Sequence, residues 1–185
     1  YSKWIYAMKQ ILSKSIVLIG LMGSGKSAIG KMLSEKMDVP LSDTDKIIQK
    51  EVGKTIDEIF NDPGEKIFRQ VEEKVLGRVL DETAHIISTG GGSILSSKTR
   101  SAIKSKSFSI WVQCDVNIIS NRIHDKEKRP LLKNKNIVDT LIKKNEERIK
   151  FYSQADSHIV NENPNIEMTV NAIVEELFLK KVAHK

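Results

Sequence analysis

One glycine-rich segment constrains the fold and the ligand of this chain more than any other feature. The segment Gly20-Leu21-Met22-Gly23-Ser24-Gly25-Lys26-Ser27 has the spacing G-x-x-x-x-G-K-S. It follows an apolar run, Ile16-Val17-Leu18-Ile19, and precedes a helical pattern. In a strand-loop-helix context, such glycines turn backbone N–H groups onto phosphate oxygens, and the helix adds its positive N-terminal end. The sequence therefore predicts a site for the phosphates of a nucleoside triphosphate.

Two side chains of this phosphate loop have chemistry of their own. Lys26 reaches the β- and γ-phosphates, and the hydroxyl of Ser27 can bind Mg²⁺. A chance glycine-rich turn before a helix is the plainer alternative, but the complete motif between strand and helix argues against it. The nucleotide-binding residues predicted in this segment are Gly23, Ser24, Gly25, Lys26, Ser27 and Ala28.

Composition excludes several other classes of protein. The 185 residues are 39% hydrophobic and 29% charged, which suits one globular domain. A single cysteine excludes an internal disulfide framework, and the four histidines have no metal-ligand spacing. The net charge is +6, but the lysines are spread along the chain and form no basic stripe with interleaved aromatic residues. We expect a cytoplasmic monomer with no nucleic-acid partner and no membrane partner.

Strand-like apolar runs alternate with segments of helical periodicity. The runs cover residues 16–19, 39–42, 85–88, 108–114 and 157–160. Such alternation predicts an α/β fold in which helices cover both faces of a parallel sheet. Ligands of these sheets lie beyond the carboxyl ends of the strands, so the residues that follow each run become candidates for the site.

Three segments depart from this regular alternation. Residues 1–14 are expected to be a loosely attached N-terminal extension of a single domain, residues 15–185. An insertion over about residues 45–82, with a capping-box signature at Thr55 and Glu58, is expected to cover the substrate. A segment of about residues 124–136 is rich in lysine and separates two helical patterns. We interpret it as a mobile lid, although charge runs more often form a solvated charged linker, which is the alternative.

Two carboxylates follow the second strand. Asp43 and Asp45 stand at alternate positions, so both can face the cleft beside the phosphate loop. Phosphoryl transfer needs one acidic group to hold Mg²⁺ or its waters and another to orient and deprotonate the attacking hydroxyl. The alternative is that either residue merely caps the next helix.

Glycines and arginines supply the other candidates. Gly90, Gly91 and Gly92 follow the third strand, where bare backbone can press against a ligand, although a tight turn is the plain alternative. The guanidinium fork grips carboxylates and neutralises charge on a phosphoryl group in transfer. The candidate arginines are Arg69, Arg129 and Arg148, and Arg69 stands three positions before Glu72 on one helix face.

These motifs, in this order and spacing, resemble those of shikimate kinases over about residues 15–180. Only the phosphate loop is specific by itself, whereas the ordered set is highly specific. Two positions depart from the family pattern: Ala28 stands where threonine is common, and Lys150-Phe151 replaces proline-leucine. In chain order the matching elements are residues 20–27, Asp43-Thr44-Asp45, Ile59-Phe60, Gly64-Glu65, Phe68-Arg69, Glu72, Gly90-Gly91-Gly92, Arg129-Pro130-Leu131-Leu132 and Arg148 before Tyr152.

The resemblance implies a P-loop kinase fold with three layers, α/β/α, a five-stranded parallel sheet, a substrate-binding helical insertion and a mobile lid. It also implies transfer of the γ-phosphoryl of ATP to the 3-hydroxyl of shikimate, on the route to chorismate and the aromatic amino acids. ATP and shikimate would then be the partners, and Mg²⁺ the cofactor.

The resemblance further implies roles for single residues. Asp45 would hold the accepting hydroxyl and take its proton. Arg69, steadied by Glu72, and Arg148 would clamp the shikimate carboxylate, and residues 90–92 would line the same pocket. On the nucleotide side, Lys26 and Arg129 would bracket the phosphoryl group, Ser27 would bind Mg²⁺ directly and Asp43 through water, and Arg122 and Pro164 would pack about the adenine.

Two alternatives stay open from the sequence alone. A gluconate kinase would share the fold but accept a sugar acid. A P-loop binding or regulatory protein without kinase activity would use the aspartates only as helix caps, although no guanine-reading N-K-x-D motif is present.

Overall fold

A parallel sheet with helices on both faces forms the centre of the computed structural model, which describes residues 11–123 and 136–184. The strands are β1 Ile11–Leu12, β2 Ser15–Ile19, β3 Leu41–Asp43, β4 Ile86–Ser88, β5 Ser107–Gln113, β6 Ser157–Val160 and β7 Ala183–His184. The helices are α1 Lys26–Met37, α2 Thr44–Val52, α3 Ile56–Ile59, α4 Glu65–Leu80, α5 Ser97–Lys106, α6 Val116–Arg122, α7 Ile137–Tyr152 and α8 Ile166–Leu179.

The large sheet has five strands in the order β3-β4-β2-β5-β6, and every neighbouring pair is parallel. Successive side chains of a strand point to opposite faces. Val17 and Ile19 of β2 accordingly pack in one core cluster, and Ile16 and Leu18 in another on the opposite face. The predicted three-layer fold is confirmed.

The segment between β3 and β4 begins with α2 and continues with the short capped helix α3, whose start the sequence predicted. Thr55 caps α3, since its Oγ1 accepts from the backbone N–H of Glu58 at 3.3 Å and Glu58 Oε2 accepts from the Thr55 N–H at 2.6 Å. Residues Phe60–Gly64 then turn the chain into α4. This long helix buries Phe68 and Val75 and presents Arg69 beside them.

The two ends of the described chain meet in a small second sheet. β1 pairs antiparallel with β7, with Leu12 opposite Ala183, and the Ser13 N–H donates to the carbonyl of Val182 at 2.9 Å. Residues 11–14, which we expected in a loose extension, are therefore attached to the domain. Within residues 11–123 and 136–184, no helix is long and apolar enough to cross a membrane.

Candidate active site

The phosphate loop joins β2 to α1 in a conformation that needs its glycines. Gly23 and Gly25 have φ angles of 77° and 102°, in the left-handed region that L side chains rarely adopt. A Cβ at Gly25 would also lie only 2.4 Å from Asn161 Nδ2. These glycine conformations let the loop lead directly into the N-terminus of α1, which begins at Lys26.

Lys26 and Ser24 point into this loop rather than into solvent. The Lys26 ammonium donates to the carbonyls of Gly20 and Leu21, at Nζ···O distances of 2.9 and 2.8 Å. Ser24 is fully buried, and within the described part of the chain its Oγ has no hydrogen-bond partner. A buried hydroxyl without a partner is costly unless a ligand satisfies it, so the loop is shaped for an occupant.

Ser27 and Asp43 form a hydrogen-bonded pair of oxygen groups at the start of α1 and the end of β3. Ser27 Oγ donates to Asp43 Oδ2 at 2.9 Å. Asp43 also caps α2, because its Oδ1 accepts from the Lys46 N–H at 3.3 Å, so both roles weighed for this residue are compatible. Ser88 Oγ, which sequence reasoning missed, lies 3.5 Å from Ser27 Oγ at the end of β4. Hydroxyl and carboxylate oxygens are the donors that suit Mg²⁺.

The glycine turn after β4 brings the phosphate loop and two carboxylates together. A Cβ at Gly90 would lie 2.8 Å from Asp45 Oδ1 and 2.5 Å from Glu72 Oε1. A Cβ at Gly91 would lie 2.9 Å from the backbone nitrogen of Met22 in the phosphate loop. No larger residue fits, so bare backbone separates the acidic groups from the loop by a single turn.

Both arginines predicted at the substrate site lie on this same turn. Arg69 Nη1 donates to Glu72 Oε2 at 2.6 Å, and a Cβ at Gly92 would lie 2.3 Å from Arg69 Nη2. Arg148 is 2% exposed and donates from Nη1 to the Gly91 carbonyl at 3.0 Å. The structure thus brings both guanidinium groups to one short backbone segment.

Burial and neighbouring charges shift the pKa values of Arg69 and Glu72. Burial raises the pKa of the Glu72 carboxyl above its ordinary value, and the charge of Asp45 adds to this effect while Arg69 opposes it. Burial by itself lowers the pKa of Arg69, but the Glu72 and Glu65 carboxylates reverse this, so the net direction is upward. The Arg69 side chain therefore stays positively charged although it is half-buried.

Helix α7 supplies two further groups to which sequence reasoning gave no role. Tyr152 donates from its hydroxyl to the Gly91 carbonyl at 2.5 Å, and burial raises the pKa of Tyr152 to about 12. Burial and the charge of Arg148 lower the pKa of Lys144. Lys144 stands one helical turn before Arg148, a spacing that places both cations on one face and was visible in the sequence.

The side of the phosphate loop that faces β6 is braced by Asn161. The side-chain Nδ2 of Asn161 donates to the Ser24 carbonyl at 2.7 Å. The backbone carbonyl of Asn161 accepts from Arg122 Nη1 at 3.0 Å. Arg122 also donates to Cys114 Sγ at 3.3 Å, while Pro164 is exposed on the loop after β6. Asn161 was missed, although its position directly after a strand was a signal.

A cleft of about 570 Å³ opens beside Arg69 and Glu72, between α4 and the start of α5. Arg129 and residues 124–135 of the expected lid lie outside the described residues. Among those that are described, no cluster of three or more His, Cys, Asp or Glu side chains could hold a metal ion.

Shikimate kinases are similar to this chain in sequence and in structure. A family model described as shikimate kinase matches residues 22–178. A curated shikimate kinase of Caulobacter vibrioides is 37% identical over 165 residues, which cover 89% of this chain and 82% of the relative. A solved shikimate kinase from Acinetobacter baumannii in complex with shikimate superposes with a TM-score of 0.88 at 28% identity, covering 91% and 95% of the two chains.

A gluconokinase structure shares only the fold. The enzyme from Sinorhizobium meliloti superposes with a TM-score of 0.55 at 15% identity, covering 92% of this chain and 98% of that one. The gluconate kinase alternative therefore gains no support beyond the common architecture.

Proposed function

The chain belongs to the shikimate kinase family, and from this membership we propose how it phosphorylates shikimate: ATP donates its γ-phosphoryl group and the 3-hydroxyl of shikimate accepts it. One observation carries the assignment of the site. Asp45, Arg69, Glu72 and Arg148 converge on the turn of residues 90–92, and this turn lies against the phosphate loop.

On the acceptor side, Arg69 and Arg148 bind the shikimate carboxylate. Charge-assisted hydrogen bonds from guanidinium groups suit a carboxylate in geometry and charge. Glu72 keeps Arg69 in place, since the pair is held at 2.6 Å. Asp45 then accepts a hydrogen bond from the 3-hydroxyl and takes its proton as the oxygen attacks phosphorus. Such positioning contributes most of the catalysis in phosphoryl transfer.

On the donor side, the amides of the phosphate loop and the N-terminus of α1 bind the phosphates. Lys26 exchanges the carbonyls of Gly20 and Leu21 for phosphate oxygens, and Ser24 offers its buried hydroxyl. Ser27 and Asp43 would hold Mg²⁺, which neutralises phosphate charge when bound. Arg122 and Pro164 would border the adenine.

Closure over the phosphates stays a prediction from the sequence. In this proposal Arg129, within the lid of about residues 124–136, approaches the phosphoryl group in transfer and neutralises charge there. Closure would also exclude water, which otherwise intercepts the phosphoryl group. We further propose a cytoplasmic monomer of a single domain, with no nucleic-acid or membrane partner.

A coupled assay of ADP release tests the function directly. We expect ATP consumption that depends on shikimate and on Mg²⁺, with gluconate inactive as an acceptor. A preference for gluconate would replace shikimate as the substrate. ATP binding without consumption in the presence of shikimate would instead indicate a binding protein.

A further inference from the structure

Arg100 of α5 joins two parts of the substrate pocket that are distant in sequence. Its Nη1 donates to the carbonyls of Ile94 and Leu95, both at 2.9 Å. Its Cζ lies 4.1 Å from the centroid of the Phe151 ring in α7. The guanidinium therefore contacts the short helix that follows the glycine turn and, through its face, the helix that carries Arg148.

These contacts connect the glycine turn with α7 by a second route. Ile94 and Leu95 belong to the 3₁₀ helix Ser93–Leu95, which follows Gly92 directly. Phe151 stands between Arg148 and Tyr152, and both of those side chains donate to the Gly91 carbonyl. Arg100 thus connects the segment of α7 between Arg148 and Tyr152 with the 3₁₀ helix that follows the turn.

We propose that Arg100 and Phe151 are positioning residues for the bound acceptor, an inference that rests on the proposed function of the same pocket. The guanidinium over the ring sets the position of α7 against the glycine turn. That position decides where the Arg148 guanidinium meets a carboxylate and where the Gly91 backbone lies. Neither Arg100 nor Phe151 needs to touch the substrate for this effect.

The contact suits this task because both partners are half-buried. A cation over an aromatic face is stronger when it is partly desolvated than when it is fully exposed. The planar guanidinium can donate in its own plane to two carbonyls while its face covers the ring. Phe151 is therefore expected to stabilise the placement of Arg148.

Substitutions at Phe151 distinguish the effect of its aromatic face from the effect of its apolar volume. Phe151→Leu keeps an apolar side chain but removes the aromatic face, and we expect the KM and Kd for shikimate to rise about 2- to 5-fold. Phe151→Tyr keeps the face and is the matched control, with shikimate affinity close to that of the natural protein. The KM for ATP should stay unchanged in both variants, because the contact lies on the acceptor side.

Substitutions at Arg100 test the other partner. Arg100→Met keeps the aliphatic stem and loses both hydrogen bonds, and we expect the Kd for shikimate to rise about 10-fold. In that background Phe151→Leu should add less than it does alone, because the Arg100 cation is gone and the Lys150 ammonium, 5.1 Å from the ring centroid, remains over the ring. Arg78→Met, which removes a surface ion pair with Glu51, is the control on a neighbouring helix and should leave shikimate affinity unchanged.

Shikimate binding by calorimetry, the two KM values and thermal unfolding are measured for each variant. A lower Tm with unchanged shikimate affinity would overturn the inference, since Arg100 and Phe151 would then only stabilise the fold. Equal increases of both KM values would overturn it as well. Arg100→Lys keeps a charge and provides a second test if Arg100→Met does not fold. Failure of the natural protein to phosphorylate shikimate would contradict the proposed function instead, and the control assay reveals this separately.

Discussion

Asp45 is the residue on which the proposed chemistry depends most directly. It lies in the first turn of α2, and its carboxylate meets the backbone of Gly90 across from Glu72. The two carboxylates are close, because Glu72 Oε1 and Asp45 Oδ1 lie 2.5 and 2.8 Å from the same Cβ position at Gly90. A site with two acidic groups in different surroundings can assign them different tasks, here proton acceptance by Asp45 and support of Arg69 by Glu72.

Asp45→Asn tests the proposed base. The amide keeps the size of the side chain but does not take a proton at neutral pH. We expect the affinity for ATP to stay near normal and kcat to fall by about 10² or more. Steady-state kinetics and nucleotide titration check this. Asp81→Asn, at a surface carboxylate paired with Lys106, is the control, and an unchanged kcat in Asp45→Asn would refute the assignment.

Arg69→Ala tests the carboxylate clamp. Loss of a charge-assisted contact should weaken shikimate binding by about 2 kcal/mol or more, which calorimetry measures. The variant also leaves Glu72, 2% exposed, without its main cationic partner, so the Tm should fall. Adding Glu72→Gln should restore part of the Tm and none of the affinity. Shikimate affinity that stays normal in Arg69→Ala would place this arginine outside the pocket.

At the scale of elements, the glycine turn after β4 organises the site. One face meets the phosphate loop, another meets the carboxylates of α2 and α4, and its Gly91 carbonyl accepts hydrogen bonds from α7. Three helices and one loop therefore approach a single backbone segment. Side chains on the turn would separate these elements, because the distances leave no room for a methyl group.

Gly92→Ala tests this arrangement. The new Cβ would lie 2.3 Å from Arg69 Nη2, the flexible end of a side chain, so we expect the protein to fold and Arg69 to be displaced. The KM for shikimate should rise by about 10-fold, the effect of one lost hydrogen bond to a charged group, with a smaller change in the KM for ATP.

Gly77→Ala is the matched control for this substitution. A Cβ at Gly77 in α4 meets nothing within 4 Å, so the variant should keep both KM values and gain about 0.5–1 kcal/mol of stability. A Gly92→Ala enzyme with normal shikimate kinetics would show that the turn has more space than the structure indicates.

At the scale of the whole molecule, Tyr152 connects helix α7 with the central sheet. Its hydroxyl donates to Gly91 beyond β4, and its ring stacks on Trp111 of β5 with centroids 5.9 Å apart. The side chain is 1% exposed, so its proton state depends on global folding rather than on a local movement.

The raised pKa of Tyr152 predicts a loss of stability at alkaline pH. The pKa is about 12 in the folded state and 10.0 as the ordinary value. Between these values the unfolded chain releases the proton first, so the folded state binds more protons and the free energy of unfolding falls as pH rises. The contribution of the Tyr152 proton to the free energy of unfolding is complete below about pH 10. By about pH 12 the free energy of unfolding has lost about 2–3 kcal/mol of this contribution.

Tyr152→Phe is the variant that isolates this effect. Urea unfolding from about pH 9 to pH 12 should show a shallower fall in stability for Tyr152→Phe than for the natural protein. The comparison of slopes cancels the lysines that also titrate in this range. Equal slopes in the two proteins would mean that Tyr152 titrates normally in the folded state.

Local patterns in the sequence were enough for much of this protein. The apolar runs predicted the five parallel strands, most directly β2, which is buried over its whole length and is apolar over residues 16–19. The spacing of Thr55 and Glu58 predicted the start of α3, and the i, i+3 spacing predicted the pair of Arg69 and Glu72. Each of these depends on neighbours a few positions apart.

Contacts between distant positions were decided only by the tertiary structure. Asn161 braces Ser24 across 137 positions, and Arg148 reaches Gly91 across 57. The pairing of β1 with β7 is another contact of this kind. Strand and helix periodicity determine which residues face inward, but the side chains that meet depend on how the layers pack against each other. The chemical groups of the pocket were therefore readable from the sequence, whereas the contacts that hold them in place were not.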